Sequence, residues 1–142
     1  MSADIERARE LFHTGGYTCV LCKGETVYTS RERGVKPLLA WRADGIDLCG
    51  FAAADKVVGN ATAFLYALIG VRMVYAPVMS RAASDTLARY GIEAVWDTMV
   101  DAIRNRTDTG FCPMELAVRD AHTPQEAFIA IQQKLRDMQS HQ

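Results

Sequence analysis

Asp55 and Lys56 stand side by side at the head of a long apolar run, "CGFAAADKVVGNATAFLYALIG", from Cys49 to Gly70. Two chemistries fit such a pair. At a helix start, a carboxylate accepts a free backbone N–H of the first turn, and a lysine beside it extends into solvent. In a pocket, the helix N-terminus favours an anion. Lys56 then adds a charge for phosphate or carboxylate, and Asp55 serves as acceptor or base. Gly59 falls one turn inside the expected helix, where glycine costs about 1 kcal/mol against alanine. Close packing on a sheet, or clearance for a ligand, offsets that cost.

A second candidate is "SRERGVKP", with Ser30, Arg31, Arg33, Gly34 and Lys36 just before a helix. Basic side chains and a helix start together make an anion site; the alternative is an ordinary solvated loop. Cys49 and Glu115 complete the candidate ligand contacts. A third candidate is Cys112, which precedes Pro113. As an N-cap its thiol feels the positive end of the helix, which favours thiolate, while Glu115 in the same turn opposes that effect. A catalytic thiol also wants a base, and His13, His122 and His141 give no sign of being one. The other reading of Cys112 is a structural thiol.

"CVLC", Cys19 to Cys22, has redox or zinc spacing, yet residues three apart on a strand point to opposite faces. One zinc site holding all four cysteines lacks a second Cys-x-x-Cys. Asp97, Asp101 and Asp108 have no partner by spacing and read as caps and solvated faces. Trp41 and Trp96 read as core or interface, since no basic run accompanies them in a nucleic-acid pattern.

The elements that must position these residues follow from periodicity. "SADIERARELFH" is an amphipathic helix stopped by "TGGY". Thr18–Cys22 and Thr26–Thr29 form a hairpin around "KGE". Pro37 fits the first turn of a short helix. Asp47–Ala52 is a third strand, and a helix from Ala54 or Asp55 to Gly70, apolar nearly all round, is buried in mid-fold. "VRMVYAPV" is a strand covered on both faces. "SRAASDTLARYG" is a helix capped by Ser80 and closed by Gly91. "IEAVW" is a strand, "TMVDAIRNR" a short helix, "CPMELAVRD" a helix, and "TPQEAFIAIQQKLRDM" the last helix, with Thr123 and Glu126 in capping-box spacing. This order implies one mixed sheet with helices on both faces.

The totals set bounds. One domain accounts for 142 residues. A net charge of −1 attracts neither nucleic acid nor an anionic membrane, and no apolar stretch reaches the length of a membrane span. "MSADIERARELF" reads as a helix rather than a signal peptide. Four cysteines without an export signal point to free thiols in a reducing cytoplasm.

Three blocks, "GGYTCVLCKGETVYTSRERGVKPLLAW", "AADKVVGNATAFLYALIGVRMVYA" and "TGFCPMELAV", resemble a small family of bacterial and archaeal proteins of unknown function. That family adopts the cytidine-deaminase-like fold without its zinc motif. The resemblance covers about residues 8 to 120 and implies a three-layer α/β/α domain with a mixed sheet of about five strands. Deaminases carry His- or Cys-x-Glu at the start of the buried helix and Pro-Cys-x-x-Cys at the next; the His and Cys residues hold zinc and the glutamate is the acid/base. Here Ala53 or Ala54 stands near the first ligand and Lys56 near the glutamate, while Val78 and Arg81 follow Pro77. None of these holds zinc, so no zinc-dependent deamination and no cofactor are expected.

The leading expectation is a zinc-free protein that binds a small anionic metabolite, a nucleotide or phosphorylated sugar, between the Asp55–Gly70 helix start and the "SRERGVKP" loop. One alternative is an assembly or regulatory module. A second copy would then cover apolar residues on a helix or on the Arg72–Pro77 strand edge. The other is a thiol enzyme using Cys112.

Overall fold

The computed structural model describes residues 3–104 and 112–140. The elements, in chain order, are α1 (Ala3–Gly15), β1 (Cys19–Lys23), β2 (Thr26–Ser30), α2 (Lys36–Ala43), β3 (Ala52–Asp55), β4 (Val57–Val58), α3 (Asn60–Ile69), β5 (Met73–Ser80), α4 (Arg81–Arg89), β6 (Glu93–Val100), α5 (Pro113–Ala117) and α6 (Pro124–Ser140).

Together the strands form one mixed sheet of six. β1 is antiparallel to β2 and to β3; β3, β4 and β6 run parallel to β5. β3 and β4 keep a common register on β5, Ala54 opposite Tyr75 and Val57 opposite Val78. They are two pieces of one interrupted strand. The ladder skips Pro77 on this side and on the β6 side. Proline has no N–H to give a sheet, and the break falls beside it.

Each face of the sheet carries its own core. α1 packs Ile5, Ala8 and Phe12 on Val20, Cys22, Ala52, Ala54, Met73 and Tyr75. The opposite core joins Cys19, Leu21, Ala53 and Val74 to α3 and to residues of α2, α4, α5 and α6. The architecture is therefore three-layer α/β/α. Cys19 and Cys22 do lie on opposite faces of β1, and all four cysteines are free.

Four sequence expectations need correction. The buried helix starts at Asn60, with Gly59 as N-cap in extended backbone. Ala54 and Asp55 end β3, and Val57–Val58 continue the strand, as suits a β-branched pair. The third strand accordingly lies at Ala52–Asp55 instead of Asp47–Ala52. "TMV" is not helical: β6 runs through Val100. The Arg72–Pro77 segment is no edge, because β5 is paired on both sides. The expected caps of α4 and α6 are present. Ser80 Oγ accepts from Ala83 N at 3.1 Å, and Thr123 Oγ1 from Glu126 N at 3.1 Å.

Among the described residues, no helix is long and apolar enough to cross a membrane. Asp108 and His141 lie outside the described residues, as does the whole "TDTGF" loop.

Candidate functional site

Cys19 sits opposite Ser30 on one side and Asp55 on the other. These three candidates therefore line one end of the sheet. Thr18, just before β1, ties the neighbourhood together. Its hydroxyl donates to Ser30 O at 3.0 Å and to Glu32 O, and its carbonyl accepts from Lys56 N at 3.0 Å. The basic loop and Lys56 thus share a sheet end, as expected, but the neighbourhood is two separate places.

The first is closed. Asp55 is only 6% exposed. Tyr66 Oη donates to Asp55 Oδ2 at 2.7 Å, and Cys19 Sγ lies 3.4 Å from that hydroxyl and 3.9 Å from the same carboxylate oxygen. Burial pushes the Asp55 pKa up from 3.8 to about 7, against the opposing pull of Tyr66, the Lys56 and Val57 amides and the thiol. Burial and the Asp55 charge push Cys19 and Tyr66 well above their usual ranges. No buried side-chain polar atom among the described residues lacks a partner. Asp55 is therefore not the N-cap of α3. It is a buried junction between β1, β3 and α3.

The N-terminus of α3 is also closed, by a residue from far along the chain. Glu115 of α5 accepts from Asn60 N at 2.7 Å and Ala61 N at 2.8 Å, one amide per carboxylate oxygen. The Asn60 carboxamide accepts from the Thr86 hydroxyl of α4. Gly59 makes the Glu115 contact feasible. A Cβ there would lie 2.4 Å from Glu115 Oε1. The clearance foreseen at Gly59 thus admits the chain's own carboxylate, and the glycine is at the N-cap, not a turn inside. Lys56 is exposed one residue past the Asp55 junction.

The second place is open. Arg31, Glu32, Arg33 and Lys36 line a cleft of about 330 Å³ at the loop before α2. Arg31 is anchored, donating to Gly15 O at 3.0 Å with its guanidinium 4.5 Å from the Tyr17 ring centre. Gly34 turns the loop in the left-handed region, φ 62°. α2 begins without a side-chain cap, and Pro37 occupies its first turn.

Two candidates stand apart. Cys49 is exposed at the opposite sheet end, where its carbonyl accepts from Lys23 Nζ at 3.1 Å. Cys112 is half-buried at the N-cap of α5, and no hydrogen bond joins its thiol to a described side chain. One cluster escaped the sequence reading. Tyr75 Oη donates to Asp97 Oδ2 at 2.6 Å, His13 Nε2 lies 3.4 Å from the same hydroxyl, and the Arg9 guanidinium sits 4.0 Å from the ring centre. Asp97 is thus more than a solvated face. Asp101 remains at the surface, 2.8 Å from Arg81 Nε.

The family model "Domain of unknown function (DUF1893)" matches residues 7–135, and the chain belongs to that family. The crystal structure of the DUF1893 family protein TM1506 from Thermotoga maritima superposes with a TM-score of 0.84 at 22% identity. It covers 94% of this chain and 92% of that one, a likeness of fold. A diaminohydroxyphosphoribosylaminopyrimidine deaminase/5-amino-6-(5-phosphoribosylamino)uracil reductase, also from Thermotoga maritima, gives a TM-score of 0.42 at 15% identity. That match covers 66% of this chain and 35% of the other. No curated protein matches the chain.

Proposed function

We propose that this DUF1893 protein binds a small anionic metabolite, a nucleotide or phosphorylated sugar, in the cleft before α2. The observation that carries the reading is the lining: three cations, Arg31, Arg33 and Lys36, against one carboxylate, Glu32. The ion pairs Asp4–Arg72 and Arg81–Asp101 lie elsewhere. Guanidinium forks match phosphate oxygens in pairs, and lysine adds a point charge. The site is the loop half of the pocket expected from sequence. The α3 half is given to Glu115, and Asp55 is too buried to touch a ligand.

The starts of α3 and α4, Asn60–Thr62 and Ser80–Ala83, contain no histidine, cysteine or acid. They offer zinc no ligand set. Among the described residues no side chain hydrogen-bonds the Cys112 thiol, so none of them supports the thiol-enzyme reading.

The test is titration with inorganic phosphate, pyrophosphate, ribose 5-phosphate and ADP, followed by calorimetry and thermal melting at low ionic strength. Low salt matters because exposed charges are screened over about 10 Å at 0.1 M. Binding to the native state raises the melting temperature, by about 2.7 kcal/mol of stability at a hundredfold excess over Kd. Arg33→Glu with Lys36→Glu abolishes that rise. A rise that survives the double variant places the site elsewhere, and no rise with any probe overturns the reading.

A further inference from the structure

β6 is an eight-residue strand at the border of the sheet. Its inner side pairs with β5 from Glu93 to Val100, with one step missed at Asp97 opposite Pro77, and among the described residues no strand pairs with its outer side. A long bare edge is a template for another strand. Ala94 packs with the α3 side of the sheet and Val95 with the α1 side. Alternation then places Trp96, Thr98 and Val100 on the α3 side, and Asp97 and Met99 on the α1 side. Trp96, in the middle of the strand, is 39% exposed.

We infer that the outer edge of β6 pairs with β6 of a second copy of this chain, antiparallel, about a two-fold axis at Trp96. The occupant is argued from self-complementarity. A two-fold axis perpendicular to the sheet keeps like faces together, so it must pass through a residue pair of one face. Centred on Val95, it sets Glu93 against Asp97. Centred on Asp97, it sets that carboxylate against its copy and Glu93 against Asp101. Centred on Met99, it sets Asp97 against Asp101. Like charges directly opposite are destabilising. Centring on Thr98 avoids them but pairs only Trp96 through Val100 within β6. Centring on Trp96 faces no like charges and pairs Glu93 through Met99. It also brings the two exposed indoles together at the centre, where aromatic anchors contribute most to an interface.

The test is native mass spectrometry with light scattering on the full chain. The expected result is a dimer that Trp96→Asp converts to a monomer of unchanged far-UV circular dichroism. In a Cys49→Ser, Cys112→Ser background, mild oxidation of Trp96→Cys links two chains through position 96. Thr98→Cys, which faces Ala94 of the other copy, stays unlinked. A monomeric wild-type chain overturns the inference. So does a dimer that survives Trp96→Asp, or one that cross-links at position 98 and not at 96. A mass showing a different protein on the edge overturns the choice of a second copy.

Discussion

The Cys19–Asp55–Tyr66 junction and the Arg31–Lys36 loop occupy the same end of the sheet and treat charge in opposite ways. The junction holds a carboxyl group, a phenol and a thiol within hydrogen-bond reach, yet each group is already answered by another and shielded from solvent. The loop has no such network, but it leaves cations facing water around a cleft. Reactive residue types in contact do not make a site; open valence and access do. The junction's groups act on stability and its pH dependence, and the loop's groups act on what the protein recognises.

The comparison breaks most sharply at Tyr66. Replacing this fully buried ring by alanine opens a cavity and strands Asp55, a loss of about 3–5 kcal/mol in urea unfolding. Phosphate binding by the surviving folded fraction stays unchanged. A loss under 1 kcal/mol means that the junction is not packed as described.

pH sharpens it next. The Asp55 pKa rises on folding, from 3.8 to about 7. Below about pH 4 both states carry the proton, and the group adds no slope. Between about pH 4 and pH 7 the unfolded chain releases it first, so the unfolded state binds fewer protons. Stability therefore falls as pH rises through this window, by a few kcal/mol in all. Asp55→Asn, which keeps an acceptor for Tyr66, removes that contribution. Its stability relative to wild type should climb between pH 4.5 and 7.5. Parallel pH profiles for the two proteins contradict the assignment.

Glu115→Ala exposes two amides at the start of α3, a loss of about 1–3 kcal/mol. Gly59→Ala alone forces the Glu115 carboxylate aside and loses a similar amount. In the Glu115→Ala background the same substitution should be near neutral. A double-mutant cycle reads this coupling, and additive losses mean that the two residues do not meet. The smallest stability effect belongs to the loop. Lys36→Glu changes stability by no more than about 0.5 kcal/mol while abolishing phosphate-dependent stabilisation.

Local signals carried much of the fold. A two-residue turn with Gly24 at φ 59° closes the hairpin, Ser80 and Thr123 cap their helices, and Pro37 sits where a missing N–H does no harm. The failures come from segments whose state is decided by distant partners. "AADKVVG" is short, apolar and charged at one point, so periodicity alone fits a helix start as well as a strand. Its register on β5 decides the matter. The β-branched pair Val57–Val58 was the available hint. "DTMV" mixes polar and apolar residues without alternation because an edge strand is only half covered. Glu115 meets Asn60 across 55 residues of chain, a contact no local pattern encodes. The anion preference of the helix start was legible; that the chain supplies the anion itself was not.

Cys19 and Cys22 belong to the same five-residue strand yet are sealed beneath different helix layers. The molecule thus carries a native clock in each of its two cores. Thiol-reactive probes mark Cys22 when α1 lifts, and Cys19 when the α3 side opens. In a chain whose Cys49 and Cys112 are replaced by serine, the two labelling rates read separately whether the halves come apart in one event or in two. Equal rates across denaturant mean that the sheet fails as a unit. Faster labelling at Cys22 means that the lone helix α1 is the looser shell.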